Sequence, residues 1–99
     1  MAEVVWSEPA VADLEAIADY IALENPRAAS DLVARIFKRT EQLESHPDSG
    51  PRLPELGHSR YRQRFEPPCR IFYRHQTDTV LIVHVMRTER LLRPGHLAR

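Results

Sequence analysis

The apolar residues of this chain change period half-way along it. Ala10, Leu14, Ile17, Ala18 and Ile21 recur every three or four residues, and Ala29, Leu32, Val33, Ile36, Phe37, Thr40 and Leu43 do so again. Such spacing draws an apolar stripe along a helix. After residue 60 the repeat falls to two: Tyr61, Gln63 and Phe65 alternate with Arg62 and Arg64, and Cys69, Ile71 and Tyr73 alternate with Arg70, Phe72 and Arg74. Alternation of this kind belongs to strands with two distinct faces. At 99 residues the chain has material for one core, so the helical half must bury its stripes against the sheet half.

The punctuation agrees with that division. Glu3-Val4-Val5-Trp6 reads as a first strand, and Ser7 offers an N-cap with Glu8 and Pro9 in the first turn. The first helix ends near Glu24; Asn25-Pro26 starts the second, which stops at His46-Pro47. Three prolines and two glycines between Pro47 and Gly57 make a loop. Glu66-Pro67-Pro68 and His75-Gln76-Thr77-Asp78 are the turns between later strands. Thr79 to Arg87 is apolar on both parities, as a strand covered on both faces requires. Glu89 to Leu97 has room for one helical turn before Pro94-Gly95. The expected architecture is one α+β domain spanning 1–99: an N-terminal strand and a two-helix hairpin packed on a small antiparallel sheet. In order it reads β-α-α-β-β-β, with a short C-terminal tail or helix.

Several kinds of chemistry have no residues to carry them. Glycines at 50, 57 and 95 make no phosphate-cradling loop. The histidines at 46, 58, 75, 84 and 96 never recur at metal-ligand spacing, and no cofactor or metal is expected. Cys69, the single cysteine, excludes an internal disulfide and reads as a core or edge thiol. The longest aliphatic run, Val80 to Val83, is far short of a membrane span. The first residues lack the basic and apolar regions of a secretion signal, so a cytoplasmic address is expected.

Zero net charge conceals an asymmetry. Residues 1–50 hold ten acids against four bases, whereas residues 51–99 hold four acids against ten arginines. Two arrangements fit: helical and sheet layers that neutralise each other, or a basic half awaiting an acidic or polyanionic partner. Arg62 and Arg64 share one face of their strand, Arg70 and Arg74 share one face of the next, and Arg87 ends the last. Their planar donor forks suit phosphate or carboxylate. The alternative is a solvated sheet face paired with Glu66 and Glu89.

The order of short motifs resembles a known family. Val5-Trp6-Ser7-x-x-Ala10, Asp13-Leu14-x-x-Ile17-x-x-Tyr20-Ile21, Asn25-Pro26-x-Ala28-Ala29, His46-Pro47-x-Ser49-Gly50 and Leu53-Pro54-Glu55-Leu56 are similar to the RelE/ParE toxin superfamily, and closer to its ParE branch. Tyr61-Arg62, Arg70-Ile71-x-Tyr73-Arg74 and Val83-His84-Val85 continue the likeness over nearly the whole chain. The resemblance implies the toxin of a type II toxin–antitoxin pair, neutralised by a cognate antitoxin. ParE-like members poison DNA gyrase; RelE-like members cleave messenger RNA on the ribosome without metal. A third possibility is an inactive homologue serving as antitoxin partner or co-repressor.

For ribosomal cleavage the resemblance would enlist Arg62, Arg64, Arg70 and Arg87 as cations, with His84 and His96 as base and acid. Two of the arginine positions are lysine in the RelE pattern, and the RelE tail aromatic has no match in Leu91-Leu92-Arg93-Pro94-Gly95-His96-Leu97. Arginine makes a poor general base because its pKa lies above ~12. The ParE-like reading is therefore favoured, with Arg62, Arg64, Arg70, Arg74, Arg87 and Arg90 forming one cationic surface for the target. The antitoxin is expected to bring an acidic segment across Leu14, Ile17, Ile21, Leu32 and Ile36 and on to Arg70.

Overall fold

The computed structural model describes residues 1–53 and 60–89. Strand β1 (Glu3–Trp6) leads into helix α1 (Glu8–Ala22) and helix α2 (Pro26–Glu41), which closes in a 3-10 turn at Gln42–Glu44. Strands β2 (Arg62–Glu66), β3 (Cys69–Gln76) and β4 (Thr79–Arg87) complete one sheet, ordered β1-β4-β3-β2. The expected strand–helix–helix–three-strand order is thus present. The helical turn expected at Glu89 to Leu97 falls almost wholly outside the described residues, as do Arg90 and His96.

Local chemistry sets the helix starts. Ser7 Oγ accepts from the Ala10 N–H at 3.1 Å and Asn25 Oδ1 from the Ala28 N–H at 3.0 Å, each satisfying a donor that the first helical turn leaves open. Both helices carry proline in their first turn, where a missing N–H costs little. Of the two stripes, Ala10, Leu14, Leu32 and Ile36 meet Cys69, Ile71, Tyr73, Val80, Ile82 and Val85 in the main core, and Ala29 is buried as well.

β2, β3 and β4 form an antiparallel meander, whereas β1 joins β4 in parallel, so the sheet is mixed. This places β4 between β1 and β3, and both its faces are covered by apolar clusters, with Val80, Ile82 and Val85 in the main one and Val83 and Met86 in a smaller one. β1 is shorter than β4, pairing only from Thr79 to Ile82. Beyond that point α1 supplies the missing partners. Ser7 N–H donates to the Ile82 carbonyl at 3.0 Å, and Ser7 Oγ–H donates to that of Val83 at 3.1 Å. Asp13 Oδ2 accepts from the Val85 N–H at 3.0 Å. The strand's backbone groups are therefore satisfied by a helix start and one carboxylate.

A register shift accompanies this handover. Phe72 faces His84 across the ladder while the next residue, Tyr73, faces Ile82, which leaves Val83 as an extra residue in β4. Side-chain parity reverses there: Val80 and Ile82 point to the helices before it, Val85 after it. Phe72, Met86, Tyr61, Leu53 and Val83 form a second, smaller apolar cluster on the face away from the helices.

Candidate functional site

The ladder decides where each arginine goes. Arg62 and Arg64 lie opposite Tyr73 and Ile71, and Arg87 opposite Cys69, so all three belong to the helix-facing side. Arg70 and Arg74 alternate with those core residues and lie on the other face, near Phe72 and Tyr61. The single cationic surface expected from spacing is divided between two faces. Parity within each strand is as read; what the sequence conceals is that β2 and β3 pair so that their arginine parities oppose, and that the Val83 shift carries Arg87 to the helix side.

Local partners occupy much of this charge. Arg62 Nη1 donates to the Gly50 and Asp48 carbonyls at 2.9 and 3.3 Å, and its Nε lies 3.5 Å from Asp48 Oδ1. The same Asp48 oxygen is 3.1 Å from His75 Nδ1. Arg64 is half-buried, and its Nε has no hydrogen-bond partner among the described residues. Arg70, 8% exposed, donates from Nε and Nη2 to Gln63 Oε1 at 3.0 and 2.8 Å, with its guanidinium 4.8 Å from the Phe72 ring centre. Arg74 lies 5.9 Å from the ring centre of Tyr61. Arg87 pairs with Glu89 at 2.8 Å and covers Tyr20 at 5.7 Å. Glu66 faces α2 rather than the other strand arginines, meeting Arg39 at 3.1 Å and Arg35 at 3.5 Å.

His84, the expected base, does not stand free. His84 Nδ1 lies 2.8 Å from Asp13 Oδ2, so His84 joins the α1–β4 handover. Burial pushes the Cys69 thiol above its ordinary 9.0, against the opposing pull of Arg87, which keeps it in the unreactive form. No three His, Cys, Asp or Glu side chains gather as a metal site among the described residues. No described helix is long and apolar enough to cross a membrane.

The residues expected to meet the antitoxin differ in burial. Leu32 and Ile36 are 1% and 0% exposed, and Leu14 is buried with them; Arg70 is buried on the opposite face. Leu14 nonetheless lines part of a surface groove. Ile17 and Ile21 remain half-buried. The apolar surface left over belongs to other residues: Val11 is 44% exposed and Phe37 45%. With Trp6, Val33 and Leu14 they line a groove of about 520 Å³ between the helices at the end of β1. The Trp6 and Phe37 rings lie 5.2 Å apart, tilted by 51°. A signal for this surface existed in the sequence. The apolar residues of α2 form two adjacent rows: one, with Ala29, Leu32, Ile36 and Thr40, is buried, while beside it Val33 is only partly buried and Phe37 is exposed.

The fold is thus a helical hairpin presenting an apolar groove, packed on a four-stranded sheet that carries arginines on both faces. The family model for the ParE toxin of the type II toxin–antitoxin system parDE matches residues 4–92. The Toxin RelE2 of Caulobacter vibrioides is 35% identical over 92 residues, covering 92% of this chain and 100% of that protein. Among solved structures, the chromosomal ParDE toxin–antitoxin system from P. aeruginosa superposes with a TM-score of 0.74 at 23% identity, over 88% of this chain and 96% of the other. The chain belongs to the ParE toxin family of type II toxin–antitoxin systems.

Proposed function

We propose that this toxin arrests growth in the cytoplasm by binding DNA gyrase, and that a cognate antitoxin silences it by covering the helical hairpin. The observation that carries this reading is the separation of the residues that RNA cleavage would need. Arg70 is buried on one face under Phe72, Arg62 is tied to the Asp48–Gly50 loop on the other, and His84 is held by Asp13. A scissile phosphate needs a base, cations and an acid within a few ångströms of one another. Protein contact has no such demand, and the chain offers it exposed apolar side chains, Tyr20 and Leu23 beside the Arg87–Glu89 pair as well as Val11 and Phe37. Under this reading Arg64, Arg74, Arg87 and Arg90 serve target contact, and Arg62 and Arg70 act by holding the Asp48–Gly50 loop and the sheet.

Purified toxin added to gyrase should block supercoiling or trap cleaved DNA complexes. Full supercoiling at saturating toxin removes the proposal. The name of the Caulobacter vibrioides relative keeps one competing reading in view, ribosome-dependent cleavage of messenger RNA. New 5′ ends at A-site codons after induction, lost on replacing Arg62 and Arg64 by alanine, would establish it instead. Absence of growth arrest without the antitoxin would identify an inactive homologue.

A further inference from the structure

The groove between the helices has a sign of its own. Its apolar walls are rimmed by two carboxylates, Glu15 and Asp19, and no base lines it among the described residues. Both carboxylates are exposed and stand one helical turn apart on α1, with Glu8 exposed further along the same helix. The groove opens at Trp6, the last residue of β1, which is an edge strand. Glu3 and Ser7 turn their N–H groups inward to the Asp78 and Ile82 carbonyls, so Val4 and Trp6 between them turn theirs outward.

We infer that this groove takes a cationic amphipathic segment of the antitoxin: apolar side chains seated between Trp6 and Phe37, with lysine or arginine flanking them against Glu15 and Asp19. The inference rests on the antitoxin reading above and reverses the acidic segment that the arginine-rich strands suggest. A second copy of the chain is a poor occupant, because a symmetric contact sets the Glu8, Glu15 and Asp19 row against itself. A buried apolar anchor supplies most of the affinity in such a contact, while the rim charges choose the partner and give its salt dependence. The arginine-bearing strands are then not what the antitoxin reads.

The test uses the whole toxin and the protein encoded by the gene adjoining it. In calorimetric titrations the double variant Glu15→Lys/Asp19→Lys should bind at least about tenfold more weakly, roughly the loss of two rim ion pairs and their replacement by repulsion. Lys38→Glu, on the exposed basic side of α2, should change the Kd little. Unchanged or tighter binding by the lysine double variant overturns the inference. A second measurement does not need that neighbour. Trp6 is the chain's single tryptophan, so its emission reports on the groove directly. A synthetic leucine–lysine amphipathic peptide should shift it to shorter wavelength, and its leucine–glutamate counterpart should not. A shift with the glutamate peptide alone, or with neither, overturns the inference. Failure of the neighbour-encoded protein to bind wild-type toxin would instead remove the antitoxin reading, with the peptides still deciding the groove.

Discussion

Three residues show how closely the backbone is fitted around the site. Gly50 donates its N–H to Tyr73 Oη at 2.9 Å, and a Cβ there would run into the Gln63 carbonyl and stand 2.8 Å from that hydroxyl. Neither obstacle can swing away, because one is sheet backbone and the other is buried. Gly50→Ala should cost about 1–3 kcal/mol, read from the urea midpoint. Thr77 holds φ at 49° in the β3–β4 turn, a region that a β-branched side chain enters only with strain. Thr77→Gly should raise stability by about 1 kcal/mol, net of the greater freedom of an unfolded glycine; a lower melting temperature would contradict this. Asp13 accepts from the Val85 N–H and from His84 with a single oxygen. Asp13→Ala strands both donors and should cost about 1–3 kcal/mol, whereas Asp13→Asn keeps one acceptor and should lose less.

At the scale of elements, helix limits, strand limits and the burial of β4 were legible because each rests on local spacing and caps. Ser7, Asn25 and the prolines mark the helix starts without any tertiary knowledge. The parallel docking of β1 and the register shift at Val83 were not legible, because they arise where a four-residue strand runs out and α1 takes over the edge of β4. That one shift decides which face Arg87 occupies. The pairing of β2 with β3 likewise sets Arg62 and Arg70 on opposite faces, a fact held in register rather than in composition. The helices carry a second lesson. The row that periodicity reveals most clearly, Leu32 and Ile36, is the row the core consumes, and under the proposed function docking falls to its neighbours. Ile36→Ala should therefore cost about 2–5 kcal/mol of stability. Phe37→Ala should cost much less stability and yet weaken the antitoxin complex. If the two variants destabilise equally, the division of the α2 face is wrong.

For the molecule as a whole, the layer between the helical hairpin and the sheet holds two ionisable groups that burial keeps neutral. Cys69 and Tyr73 both project from β3 into it, and burial pushes each above its ordinary value of 9.0 or 10.0. The Gly50 N–H and the nearby Arg62 pull Tyr73 back, but burial prevails. The consequence for stability has a definite sign. Near neutrality both groups are protonated in folded and unfolded chains alike, so they contribute no pH dependence. As pH rises through 9.0 the unfolded chain releases the Cys69 proton while the folded one retains it, and near 10.0 Tyr73 follows. The unfolded state then binds fewer protons, and stability falls by up to about 1.4 kcal/mol per pH unit for each group until its folded form ionises too. Urea midpoints measured from neutral to strongly alkaline pH should be flat at first and then decline. The Cys69→Ala variant should lose the earlier part of the decline and keep the later one. A midpoint that stays level through the thiol's range in the parent chain would mean that the layer beneath α1 and α2 admits water, and that the groove above it is less rigid than its packing indicates.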